Sequence, residues 1–143
     1  MKGLRLYKFE KLCSKKSIDL LFTPGNSKGC IEYPVRAVWR VNKSSDNFPD
    51  EHCLVKFLVN VPKKKLRHAV DRVAMRRKIR EAYRLNKHIL YDSLSSVPDN
   101  LVIEIAFVYM SDKKKTFATV ESRMINILNK VSSSVLSIYN EDN

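Results

Sequence analysis

Between Lys63 and Lys87 eleven side chains are basic (Lys63, Lys64, Lys65, Arg67, Arg72, Arg76, Arg77, Lys78, Arg80, Arg84 and Lys87) and only Asp71 and Glu81 are acidic. This gives a local net charge of +9 in a chain whose total is +12. The same stretch carries apolar residues at three- and four-residue steps, and the combination constrains the fold more than any other feature of the sequence. On a helix of 3.6 residues per turn, Arg72, Arg76, Lys87, Arg80, Arg84 and Arg77 fall within an arc of about 140°. Met75, Ile79, Ala82, Leu85 and Ile89 lie opposite, with Tyr83 at the border. Such a cylinder is fixed to a hydrophobic scaffold along one side and offers a row of guanidinium groups along the other. The spacing predicts a helix from Arg67 to Tyr91.

Like charges crowded on one helix repel, and a solvated, ion-paired surface would need acids at i±4. Only Glu81 is placed for that, within reach of Arg77, Lys78 or Arg84. The imbalance therefore calls for a polyanionic partner. Each Lys or Arg set on a phosphate releases condensed counterions and adds affinity that does not depend on base sequence. Arginine dominates the row, and its planar fork suits bidentate phosphate contact. Readout of DNA bases in the major groove is disfavoured, because the start of the helix holds Asp71, Val73 and Ala74 where Asn, Gln or Arg would be needed.

Around this helix the patterning gives a small mixed fold. A short helix is expected from Lys15 to Phe22, capped by Ser14 and stopped by Thr23-Pro24-Gly25-Asn26. Alternation of Ile31, Tyr33, Val35, Ala37, Trp39 and Val41 with Glu32, Arg36 and Arg40 predicts one half-buried strand, interrupted mildly by Val38. A polar loop from Asn42 to Glu51 precedes a second strand from Cys53 to Val61, ended by Pro62. A loop from Ser93 to Asn100 leads to Leu101–Met110, a strand apolar on both faces and therefore central. Ser111 to Lys115 turns the chain. A last amphipathic helix, Phe117 to Ile138, is expected to pack Phe117, Val120, Met124, Ile127, Leu128, Val131, Val135 and Ile138 into the core. The order α-β-β-α-β-α describes an α+β sandwich.

At 143 residues, with 44% hydrophobic residues and three glycines, the chain is expected to form one domain over 1–143, flexible at 1–14 and 139–143. No apolar run reaches the ~18 residues of a spanning helix, and Met1–Lys8 has no apolar signal core. Neither membrane insertion nor secretion is expected, and a cytoplasmic location is. Cys13, Cys30 and Cys53 are odd in number and widely spaced, which suits neither a disulfide framework nor structural zinc. His52 and Cys53, as adjacent strand residues, point to opposite faces and cannot share an ion. No bound metal, cofactor or small-molecule substrate is expected. Asp71 and Glu81 stand ten residues apart, and His68 and His88 twenty, so neither pair has the spacing of a nuclease site. No catalytic residue is assigned.

The run Val61-Pro62-Lys63-Lys64-Lys65-Leu66-Arg67-His68-Ala69-Val70-Asp71-Arg72, followed by Met75-Arg76-Arg77-Lys78-Ile79-Arg80-Glu81-Ala82-Tyr83-Arg84, resembles the signature of the bacterial ribonuclease P protein component. That family has a Lys-Lys pair closing a strand and then a helix of the form Ala-x-x-Arg-Asn-x-x-Lys-Arg-x-x-Arg-Glu-x-aromatic-Arg. Lys63, Lys64, Ala69, Arg72, Arg77, Arg80, Glu81, Tyr83 and Arg84 match it, and Arg76 stands for the usual Lys. The family's Arg-Asn-Arg reads Arg72-Val73-Ala74 here, Ile18 replaces a usual aromatic, and Leu58 a common glycine. The likeness extends over nearly the whole chain.

The resemblance implies the ribosomal protein S5 domain 2-like fold, with a left-handed β-α-β crossover. It also implies a protein subunit of an RNA-based endonuclease that removes the 5′ leader of precursor tRNA, with the active site and its Mg²⁺ in the RNA subunit. The implied partners are ribonuclease P RNA and precursor tRNA. Lys63, Lys64, Lys65, Arg67, Arg72, Arg76, Arg77, Arg80, Arg84 and Lys87 are the expected RNA-binding residues. Phe22, Tyr33, Trp39 and Phe57 are candidates for a leader cleft between sheet and first helix, against the alternative that each is ordinary core. The competing function is a general structured-RNA- or ribosome-binding module with no processing role.

Overall fold

A computed structural model describes residues 12, 15–23, 25, 27–43, 55–93 and 101–141. The elements are α1 (Lys15–Leu21), β1 (Lys28–Glu32), β2 (Val35–Lys43), β3 (Val55–Asn60), α2 (Ala69–Asn86), α3 (His88–Ser93), β4 (Leu101–Tyr109) and α4 (Phe117–Glu141). One four-stranded sheet has the order β1-β2-β4-β3, with β3 and β4 parallel and the other pairs antiparallel. The parallel pair makes β3-α2-α3-β4 a crossover unit.

β4 is central, as its two apolar faces require, and Val102 through Phe107 are all buried. On one face α2, α3 and α4 cover the main core, where Phe57, Tyr83 and Phe107 meet ring to ring at centroid distances of 4.5, 5.6 and 6.5 Å. On the other face Ile18 and Leu21 of α1 pack with Leu12, Val38, Leu58 and Ala106. Val38, which interrupts the alternation of β2, is the inward residue of this second cluster. The backbone N–H of Leu12 donates to the Phe57 carbonyl at 2.8 Å, covering part of the outer edge of β3.

Two elements differ in kind from the sequence expectation, and β2 runs on to Lys43 where the polar loop is expected to start at Asn42. The strand expected over Ile31–Val41 is a hairpin that reverses at Tyr33–Pro34, so the order is α-β-β-β-α-α-β-α. Proline has no N–H to offer a ladder and its ring favours a turn. Because the reversal takes two residues, Glu32 pairs with Val35 and Ile31 with Arg36. Ile31, counted with the core by simple alternation, lies on the opposite face and is 58% exposed. The helix expected over Arg67–Tyr91 begins at Ala69 and breaks at Lys87. There the Asn86 side chain donates to Ala82 O (2.9 Å) and Glu121 Oε2 (3.1 Å), and the Lys87 carbonyl starts α3 by accepting from Leu90 and Tyr91.

α1 ends one residue before Phe22, and α4 continues past Ile138 to Glu141, its start capped by Thr116 Oγ1 accepting from the Thr119 amide at 3.3 Å. Cys30 is half-buried against the main core. Ser14, Pro24, Asn26, Cys13, His52, Cys53 and the loop around Pro98 lie outside the described residues.

Candidate nucleic-acid interface

α2 is held from beneath by Met75, Ile79, Ala82, Tyr83 and Asn86, all buried. These residues fix its rotation, and the opposite strip reads Val70, Val73, Arg77, Arg80, Arg84 at steps of three and four. Arg77 and Arg80 are exposed and Arg76 half-exposed on the flank. None of these three makes an ion pair among the described residues. Glu81, the one carboxylate placed to neutralise the row, pairs with Arg84. At the head of the strip Val70 is 79% and Val73 39% exposed, so an apolar turn precedes the basic ones.

The loop between β3 and α2 continues the charge. Lys65 and Leu66 amides both donate to the Pro62 carbonyl, at 3.0 and 3.2 Å, in a tight turn anchored by buried Leu66. Lys63, Lys64, Lys65 and Arg67 project from it into solvent. Arg72 does a different job from its neighbours. One terminal nitrogen donates to the carbonyls of Leu66 (2.9 Å) and Arg67 (2.7 Å), tying the first turn of α2 to that loop. Lys78 donates to the Lys115 carbonyl at 3.1 Å.

Three expected site residues are placed where an RNA cannot reach them. Lys87 is 3% exposed because the helix breaks beneath it, and its ammonium lies 5.7 Å from the centre of the Tyr91 ring. Trp39 and Phe57 are each 4% exposed in the core beneath α2 and α4, on the sheet face away from α1. Of the four aromatic candidates, Phe22 (44% exposed) and Tyr33 (53%) are on the surface, with the Lys115 ammonium 6.0 Å from the Tyr33 ring centre.

The α1-facing side of the sheet holds polar residues that are not among the expected site residues. Ile31 and Arg36 are cross-strand neighbours there, both exposed. Further along, Arg40 Nε donates to the buried Glu104 Oε1 at 2.7 Å, and Lys56 stands in register with Glu104 on its other side. The signal was available: Arg36, Arg40 and Lys56 are the charged members of the alternation in β2 and β3. Among the described residues no group of three or more His, Cys, Asp or Glu side chains gathers as a metal site, and no helix is long and apolar enough to cross a membrane.

Comparison with known proteins agrees with this geometry. A family model described as Ribonuclease P matches residues 6–132. A curated relative named "Ribonuclease P protein component", from Porphyromonas gingivalis, is 37% identical over 134 residues, which span 92% of this chain and 90% of that one. Among solved structures, the Staphylococcus aureus RNase P protein superposes with a TM-score of 0.61 at 14% identity, covering 85% of this chain and 94% of the other. The RNase P protein of Thermotoga maritima gives a TM-score of 0.59 at 19% identity, covering 85% and 96%. At these identities the structural matches speak for the fold.

Proposed function

The chain belongs to the ribonuclease P protein family, and from that premise we propose that it is the protein subunit of ribonuclease P, acting with the catalytic RNA in 5′ maturation of tRNA. The observation that carries the reading is the solvent-facing strip of α2, where Arg76, Arg77 and Arg80 are left without carboxylate partners among the described residues by a helix whose other side is locked in the core. Uncompensated guanidinium groups carried on a fixed helix suit the phosphates of a folded RNA, with Lys63, Lys64, Lys65 and Arg67 extending the contact. The protein positions RNA, and the Mg²⁺-dependent chemistry belongs to the RNA partner.

Precursor tRNA is the substrate of the complex, and its single-stranded leader runs along the α1-facing side of the sheet. Phe22 and Ile31 offer apolar surface there, and Arg36 and Lys56 offer charge. Exposed aromatic rings beside cations bind unpaired nucleotides with little regard to sequence. Trp39 and Phe57 have no part in this contact, being core. Reconstitution tests the assignment. Added to a bacterial ribonuclease P RNA at low Mg²⁺, the protein increases the rate of leader removal. Tight RNA binding with no gain in cleavage would replace this function with that of a general RNA-binding module.

A further inference from the structure

A second basic segment, Lys113-Lys114-Lys115 between β4 and α4, stands beside the β3–α2 loop, and its backbone is firmly built. The hydroxyl of Tyr109, a fully buried side chain, donates to the Lys113 carbonyl and accepts from the Lys115 amide at 3.1 Å. Buried Ser111 Oγ accepts from the Lys113 amide at 3.1 Å. From outside, Lys78 of α2 holds the Lys115 carbonyl. With its backbone stapled at these points, the loop presents Lys113 and Lys114 to solvent at fixed positions.

The two loops are the walls of an open cleft of about 580 Å³, lined on one side by Lys64, Lys65 and Arg67 and on the other by Lys113 and Lys114. Among the described residues that line it, Asp71 and Asp112 are the carboxylates, so five basic side chains face two acids. The Lys114–Asp71 contact is 3.4 Å long and Lys114 is 62% exposed, a pair weak enough to yield to a phosphate. Held close by backbone bonds that do not involve their charges, these cations repel one another until an anion enters.

We propose that Lys113 and Lys114 form, with Lys64, Lys65 and Arg67, a two-walled clamp for a sugar–phosphate strand of the partner RNA, a contact separate from the arginine strip of α2. The proposal rests on the RNA-binding function above and adds a second point of grip at the start of α2. It explains why the β4–α4 turn is braced by a buried tyrosine and a buried serine.

The test measures affinity of the full chain for catalytic RNA as a function of salt, for K113A/K114A, K113R/K114R and, in parallel, R76A/R80A. If both lysines contact phosphate, K113A/K114A binds on the order of tenfold more weakly at moderate salt. The slope of log K against log salt then becomes shallower by about 1.4–1.8, at 0.7–0.9 per contact. K113R/K114R, which keeps the charges, retains the original slope. Unchanged slope and affinity in K113A/K114A, with R76A/R80A weakened, would overturn the clamp and leave the arginine strip standing. An equal loss in the arginine-for-lysine variant would also overturn it, since charge would not be the cause. If neither alanine pair changes binding, the RNA-binding function itself fails.

Discussion

Arg40 shows how far a single side chain's role depends on its surroundings. It belongs to the charged face of β2, yet it is drawn down onto Glu104, a carboxylate buried in the central strand. Removing the arginine leaves that carboxylate without its nearest counter-charge in a site shielded from water. Arg40→Ala is therefore expected to destabilise the fold by about 3 kcal/mol, the lower end of what breaking a buried pair costs, because Arg40 retains some solvent contact. Chemical denaturation checks this, and the double change with Glu104→Gln should recover part of the loss. Residue type did not reveal the pairing, since Arg40 and Glu104 are 64 positions apart. The same limit applies to Arg72, which the sequence groups with the arginine row but whose guanidinium is occupied by the loop carbonyls of Leu66 and Arg67.

Elements were more legible than residues wherever periodicity was long and uninterrupted. The buried stripe of α4 and the double-sided burial of β4 both follow from the spacing of their apolar residues. Periodicity failed at two junctions where the apolar spacing runs on across the break. Apolar residues continue at a two-residue step through Tyr33–Pro34, so the spacing masks the hairpin and Pro34 is its one marker. Between Asn86 and His88 there is neither glycine nor proline, so the break that buries Lys87 had no marker. These two junctions account for the misplacement of Ile31 and Lys87.

The hairpin also creates an attachment between β1 and α4. Glu32 accepts hydrogen bonds from Lys130 and from Asn126, the latter at 3.1 Å. These bonds, Lys130 first, hold the Glu32 carboxyl below its ordinary value of 4.5, and the Glu32 bond raises Lys130 above its ordinary 10.5. A depressed acid contributes stability above its unfolded pKa and loses it as pH falls through the lower folded value. A raised lysine contributes below its unfolded pKa and loses it as pH rises through the higher folded value. The stability difference between the wild type and Glu32→Gln should therefore be level through neutral pH and shrink both below pH ~4 and above pH ~10.5. Denaturant midpoints across pH measure it, and a difference that grows toward acid would contradict the attachment.

At the scale of the whole molecule, charge and core are segregated. The main core lies between the sheet and α2, α3 and α4, and the second cluster beneath α1 completes the other face. Lys64, Lys65 and Arg67 and the lysines Lys113 and Lys114 of the β4–α4 loop line one cleft where α2 begins and the two loops meet, and the arginine strip runs on from there along α2. The concentration of charge was legible in sequence as the +9 segment. The contribution of the β4–α4 loop was not, because its nearness to Lys64 and Arg67 arises only when β3 and β4 pair in parallel and bring their ends together. Folding thus converts a linear charge run into a surface suited to a polyanion.

The central claim is that the outward arginines of α2 bind RNA phosphates, and the salt dependence of catalytic-RNA binding by Arg76→Ala/Arg80→Ala tests it most directly. The account predicts weaker binding and a slope shallower by about 1.4–1.8, with thermal melting showing an intact fold. Binding and slope identical to the wild type in a folded variant would contradict it.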